Sequence, residues 1–240
     1  MSSKSLSVFI PVYNEEKIID KNLGVILRVV KEITSDFEIL IVNDGSTDNS
    51  KEKILNWVNN CEQIKLIDHK TNLGYGASLK SGFTNAQKEL IFYTDMDLPA
   101  DLSELKKVMP LMETYDLVIG YRIDRLDTLR RMVYFKIYRF LLRRLFNLKI
   151  KDINFSFKCL KKKVIEKINL TARTGFIDGE LLIESSRYGF TIKEVPITYL
   201  PRKCGNSNFD SFKVAFSTAR EILVYWLVKI SQAKRLKNCR

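Results

Sequence analysis

The sequence predicts an α/β protein: a mostly parallel central sheet with helices on both faces. Three observations predict it. Short apolar runs alternate with stretches whose apolar residues recur at helical spacing through residues 1–120. With 240 residues and 45% hydrophobic composition, the chain is long and apolar enough to bury a real core. Polar and acidic residues collect where the apolar runs end, which is where ligands bind in such sheets.

The elements follow in order. Residues 7–12 (SVFIPV) read as a buried strand. Ile18, Ile19, Leu23, Ile26, Leu27, Val30 and Ile33 then mark one face of a helix. Residues 37–42 (FEILIV) are a second strand, followed by a polar turn and a helix over 51–58. Residues 64–68 are a third strand and 77–87 a helix. Residues 90–94 (LIFYT) are a fourth strand, 102–112 a helix and 116–119 a fifth strand. Further on, 129–148 and roughly 212–230 read as helices, and no repeat or low-complexity tract interrupts the chain.

The formal charge of +12 is unevenly placed. Residues 1–120 hold 13 Lys+Arg and 18 Asp+Glu, a net of −5, and residues 121–240 hold 27 and 10, a net of +17. Such a split suggests two jobs on one chain. Four dispersed cysteines without a CxxC pair, and His69 as the single histidine, argue against a zinc site. The first residues do not read as a signal peptide, and a reducing, cytoplasmic setting is expected. No stretch reaches the ~18 uncharged apolar residues that cross a bilayer.

The strand ends carry the chemistry. The first ends in Tyr13-Asn14-Glu15, the second in Asn43-Asp44-Gly45-Ser46-Thr47-Asp48, the third in Asp68 and the fourth in Asp95-Met96-Asp97. Two carboxylates separated by one residue can both reach one hard cation, Mg²⁺ or Mn²⁺, which also binds substrate phosphates. The alternative is a solvated turn that caps the helix near Asp101. The run Asn72 to Gly82 is glycine-rich and opens a helix, but it fits neither a P-loop nor a dinucleotide fingerprint. Its backbone is suited to approach a diphosphate, or it is an ordinary tight loop.

Residues 121–163 hold 14 Lys+Arg against Asp124, Asp127 and Asp152. On the helix at 129–148, Lys136, Arg139 and Arg143 form a narrow basic stripe among Tyr134, Ile137, Tyr138, Leu141, Leu142 and Leu145. That pattern suits a bilayer interface, or a core helix with one solvated edge. A nucleic-acid partner is not expected, because no nucleic-acid module is recognisable.

Taken together these residues resemble family 2 glycosyltransferases with a glycosyltransferase-A fold, in the branch of dolichyl- or polyprenyl-phosphate sugar synthases. The resemblance runs over about residues 6–210. It is carried by Val8-Phe9-Ile10-Pro11-Val12-Tyr13-Asn14-Glu15, the Val42–Asp48 turn with Asn43 for the usual Asp, and the glycine loop. It continues through Asp95-Met96-Asp97, Gly120-Tyr121-Arg122, Arg130-Arg131, Asp152, Gly175-Phe176 to Glu180, Glu194-Val195-Pro196, and Arg202 with Gly205 and Ser207.

The resemblance implies roles. Pro11, Tyr13, Glu15, Asp44, Gly74 and Asp95 would line the nucleotide-sugar pocket, and Asp95 and Asp97 would hold Mg²⁺ or Mn²⁺. Arg122, Arg130, Arg131, Arg202 and Ser207 would bind the acceptor phosphate. Asp97, Arg122, Arg131 and Asp152 would be the catalytic set, with Asp152 a positioning residue, a base or a loop cap. Residues 1–120 would form the nucleotide-sugar half, 121–210 the acceptor half, and 211–240 a C-terminal amphipathic, basic helix. Three departures stand out: Pro99 in place of a metal-reaching glutamine, Tyr134 near the usual acceptor serine, and Asn154-Phe155-Ser156-Phe157 in place of a small-residue stretch.

The expected function is inverting, metal-dependent hexose transfer from a nucleotide sugar, GDP-mannose before UDP-glucose, to dolichyl or polyprenyl phosphate. It would occur peripherally at the cytoplasmic face of a membrane. The competing readings are transfer to a glycan or protein hydroxyl, and a non-enzymatic basic protein that binds membranes or nucleic acid.

Overall fold

The computed structural model describes residues 4–123, 129–200 and 212–238, with side chains at 4–123, 132–200 and 215–231. A seven-stranded sheet has the order β3-β2-β1-β4-β6-β5-β7. Its strands are β1 (Leu6–Val12), β2 (Phe37–Asn43), β3 (Ile64–Asp68), β4 (Leu90–Tyr93), β5 (Leu117–Arg122), β6 (Lys158–Lys161) and β7 (Ile192–Ile197). The pairs β1/β2, β1/β4, β2/β3 and β5/β7 are parallel. Strand β6 runs antiparallel to both β4 and β5. A strand from the basic half therefore lies inside the sheet begun by the acidic half.

The expected α/β class is observed, and the local patterns explain it. In β1, Leu6, Val8, Ile10 and Val12 pack into one hydrophobic layer and Phe9 into the other. Helix α1 (Ile19–Ile33) buries Ile19, Leu23, Ile26, Val29 and Val30, the predicted stripe. It shares the first layer with Ile54 of α2 (Ser50–Asn60). The second layer holds α3 (Tyr75–Asn85), α7 (Phe176–Arg187) and parts of α5 (Leu129–Phe146) and α8 (Phe212–Asn238). A short helix, α6 (Lys162–Lys167), follows β6.

One element departs from the prediction. The helix expected over 102–112 is a single α-turn, α4 (Leu105–Val108), between 3₁₀ turns at Leu102–Glu104 and Met109–Glu113. Pro110 explains the break, since it has no N–H to return to residue 106 and its ring crowds the preceding turn.

Helix α5 divides its faces differently from the sequence wheel. Leu142 is buried, while Met132, Val133, Ile137 and Phe140 are exposed beside Lys136, Arg139 and Arg143. Helix α8 buries Ile222 and Tyr225 and exposes Phe216, Leu223, Val224, Leu227 and Val228. No helix among the described residues is long and apolar enough to cross a membrane.

Candidate active site

Parallel pairing puts the carboxyl ends of β1, β2 and β4 on one edge of the sheet. Val12 is in register with Asn43, and the Asp44 N–H donates to the Val12 carbonyl at 2.8 Å, so Tyr13 and Asp44 leave the sheet together. A cleft of about 470 Å³ opens there, within the size range of small-molecule sites. Pro11, Tyr13, Glu15, Asp44, Gly74, Asp95, Asp97 and Arg122 all line it. Eight of the predicted site residues thus converge, although up to 111 positions separate them in the chain.

Asp44 organises the glycine loop. Its carboxylate accepts the N–H of Leu73 and of Gly74, each at 2.9 Å, and lies 2.8 Å from His69 Nδ1. His69 Nε2 is 2.9 Å from Ser81 Oγ on α3, so the imidazole braces Asp44 from behind. Gly74 has φ +92°, a conformation that favours glycine, and it immediately precedes α3. Asn43, the substitution in the Asp-Asp pattern, donates from Nδ2 to Asp68 Oδ1 at 2.7 Å. An aspartate there would face a second carboxylate. Asp68 is bound to Asn43 and to Lys51 and does not line the cleft.

The Asp95–Asp97 segment is a tight turn. Leu98 has φ +47°, uncommon for a residue with a side chain, and its N–H donates to the Asp95 carbonyl at 3.1 Å. Burial, and next the charge of Asp97, push Asp95 up to about 7, against the pull of a hydrogen bond with Ser156. A carboxylate pushed up by a neighbouring carboxylate fits a divalent cation, which relieves the repulsion with oxygen ligands. No group of three or more His, Cys, Asp or Glu among the described residues is arranged to hold a metal. Two carboxylates still fit Mg²⁺ or Mn²⁺, which commonly take the remaining ligands from water and substrate phosphate.

Arg122 also lines the cleft. Its Nε lies 2.7 Å from Asp152 Oδ2 and its Nη2 2.9 Å from Oδ1, a bidentate pair with both side chains 6% exposed. The rings of Phe135, Phe155 and Tyr199 stand 5.3, 5.3 and 5.5 Å from its guanidinium carbon. Arg122 is therefore held by the Asp152 carboxylate and an aromatic cage. Asp152 is engaged with Arg122, which supports the positioning role more than the base role. Arg130 and Arg131 lie in the first turn of α5, where side chains are outside the described set. Arg202 and Ser207 lie outside the described residues.

The sequence reading missed a network beneath the cleft. Lys158, fully buried, donates from Nζ to Asp178 Oδ1 at 2.6 Å, to Tyr93 Oη at 2.8 Å and to the Phe155 carbonyl at 2.7 Å. The Tyr93 hydroxyl also donates to Asp178. Tyr75 reaches toward Asp95 at 3.5 Å, and burial followed by the charges of Asp95 and Asp178 raises its hydroxyl well above the usual tyrosine range. A lysine inside the apolar run FSFKCL was the one available signal. A second, mainly apolar cavity of about 170 Å³ between α5, α7 and α8 shares Tyr75 and Gly175 with the cleft.

The chain is similar to known proteins in sequence and in fold. The chain is 30% identical over 215 residues to a dolichyl-phosphate beta-glucosyltransferase of Trichomonas vaginalis, covering 82% of this chain and 66% of the relative. It is 26% identical over 214 residues to an undecaprenyl-phosphate 4-deoxy-4-formamido-L-arabinose transferase of Photorhabdus laumondii, covering 88% and 65%. The chain thus spans slightly under two thirds of the length of these curated relatives. Glucosyl-3-phosphoglycerate synthase of Mycobacterium tuberculosis, solved with Mn²⁺, uridine diphosphate and phosphoglyceric acid, shares the fold. Its TM-score is 0.72 at 16% identity, over 94% of this chain and 79% of that one. The family model described as glycosyl transferase family 2 matches residues 7–169, more than half of the chain, and this protein belongs to that family.

Proposed function

We propose that this protein transfers a hexose from a nucleotide sugar to a polyprenyl phosphate at a membrane surface, with a divalent cation. The observation that carries this is one cleft lined by two kinds of chemistry. Asp95 and Asp97 line it together with the caged Arg122. Residues 1–120 supply most of the donor end, 121–210 the acceptor end, and 211–240 a basic amphipathic helix. The relatives named as dolichyl- and undecaprenyl-phosphate sugar transferases support the acceptor class. UDP-glucose joins GDP-mannose as the donor to test first, because the 30%-identical relative is named for β-glucosyl transfer.

The chemistry follows from the residues. Asp95 and Asp97 would hold Mg²⁺ or Mn²⁺, which supplies charge neutralisation for the departing nucleoside diphosphate. Asp44, through Leu73 and Gly74, shapes the loop against which the donor lies. Pro11, Tyr13 and Glu15 also line the cleft. Arg122, oriented by its pair with Asp152, would attract the acceptor phosphate through its guanidinium charge, which stays on at any pH the enzyme meets. A phosphomonoester with a second pKa of ~6 is already largely ionised at neutral pH, so no strong general base is required. Direct displacement inverts the anomeric centre.

Exposed apolar residues beside Lys136, Arg139 and Arg143 on α5, and the apolar face of α8, support peripheral membrane contact. The reading is tested by incubating the protein with labelled UDP-glucose or GDP-mannose, Mn²⁺ and polyprenyl phosphate. Label that extracts into organic solvent only when the lipid phosphate is present supports it. Label that moves only to a glycan or protein hydroxyl favours the competing enzyme, and no metal-dependent turnover of either donor removes the enzyme reading.

A further inference from the structure

Helix α8 lies beyond the residues matched by the family model, yet it reaches the cleft. Ser217 lines the cleft, and one turn later Glu221 directs its carboxylate at residues 173–174. Glu221 Oε1 accepts the Arg173 N–H at 2.8 Å. Its Oε2 accepts the Thr174 N–H at 3.2 Å and the Thr174 hydroxyl at 2.6 Å. The same Thr174 oxygen accepts the Phe176 N–H at 3.2 Å, at the start of α7.

The segment held in this way backs the glycine loop. The Arg173 carbonyl accepts the Gly76 N–H at 3.2 Å. A Cβ on Gly76 would stand 2.5 Å from the Arg173 carbonyl carbon, so this approach requires glycine. Thr174 and Gly175 line the cleft together with Gly74 and Ser78. A continuous series of contacts therefore runs from α8 through 173–175 to 74–76 and the cleft. Helix α8 is itself seated by buried Ile222 and Tyr225, by the Tyr225 hydroxyl on Glu184, and by Lys229 at 3.1 Å from Glu184.

We propose that Glu221 is a positioning residue for the transfer reaction. From α8 it holds residues 173–175 against the glycine loop, so that seating of α8 and formation of the donor wall are one event. This rests on the donor reading given above and adds the element that completes the site. Glu221 acts through Arg173 and Thr174.

The test compares the full chain with Glu221→Ala, Glu221→Gln and a surface control, Glu62→Ala. Calorimetry measures binding of UDP and of GDP with Mn²⁺, and amide hydrogen exchange follows residues 74–76 and 173–176. Loss of bonds to a charged acceptor predicts nucleotide binding weaker by roughly 10- to 100-fold in Glu221→Ala. Exchange should quicken in both segments, Glu221→Gln should fall between, and the control should match the wild type. Wild-type affinity in Glu221→Ala, or quickened exchange confined to α8, overturns the proposal. If Glu221→Ala does not fold, Glu221→Gln carries the same comparison. If the wild type binds neither nucleotide, the donor reading falls, and exchange at 74–76 alone decides whether Glu221 positions the loop.

Discussion

Lys158 Nζ and Asp178 Oδ1 lie 2.6 Å apart in the interior, with the two side chains 0% and 2% exposed. The pair joins β6 to α7, and both charges act on Asp95. Its third bond, to the Phe155 carbonyl, fixes the segment whose ring packs on Arg122 and whose Ser156 bonds Asp95. Removing one member strands a buried charge, at a cost of about 3–5 kcal/mol. Lys158→Met should therefore lose that much in chemical denaturation, and Lys158→Met/Asp178→Leu should recover most of it. Equal stability of the single and double variants would show that the two charges are not coupled.

Asp97→Ala should abolish Mn²⁺ binding measured by calorimetry and lower transfer by at least about 10³-fold, the order expected when a buried electrostatic contact at the reacting centre is lost. EDTA should inactivate the wild type to the same level. Full wild-type turnover in EDTA would remove the metal assignment.

Asp152→Asn separates two roles. If Asp152 positions Arg122, the variant raises KM for polyprenyl phosphate by about tenfold or more and leaves KM for the nucleotide sugar nearly unchanged. If Asp152 is a base, kcat falls instead and the acidic limb of the pH–rate profile disappears. The bidentate geometry predicts the first result.

Asp116 should make stability depend on acid pH. Burial alone would raise it, but hydrogen bonds with Lys163 and with the Thr191 N–H and hydroxyl outweigh this and hold it well below the usual carboxylate range. A depressed folded pKa stabilises the protein above the unfolded value of 3.8. The contribution is lost as pH falls below that value. Asp116→Asn should thus melt lower than the wild type at pH 7, with the difference closing as pH drops below about 4.

Flotation with anionic liposomes tests the membrane surface. The wild type should float, and Arg139→Glu/Arg143→Glu should float less, since each basic residue near an anionic leaflet contributes about 1 kcal/mol. Equal recovery of the two proteins at every salt concentration would count against α5 as the contact.

Much of this was legible without coordinates, because alternation and helical spacing are short-range patterns. The third strand, Ile64–Asp68, matches residue for residue, and the other strands of the first half differ only at their ends. The helix over 102–112 failed because one proline broke a periodicity that looked continuous. The acids at the strand ends were recognisable as a site because chain direction in a parallel sheet collects those ends on one edge. The partners of the site residues were not recognisable. Arg122 and Asp152 are 30 positions apart, Arg173 and Glu221 are 48 apart, and Tyr93 and Lys158 are 65 apart.

The sequence by itself determined the fold class, the acidic cleft edge and the resemblance to a sugar transferase. These depend on residue type and local spacing, which the chain displays directly. Only the tertiary structure decided that Asp152 pairs with Arg122, that Lys158 is buried against Tyr93 and Asp178, and that Glu221 of α8 bonds residues 173–174. Those facts depend on which distant segments the sheet and its helices bring within about 3 Å, the range at which a charge or hydrogen bond acts.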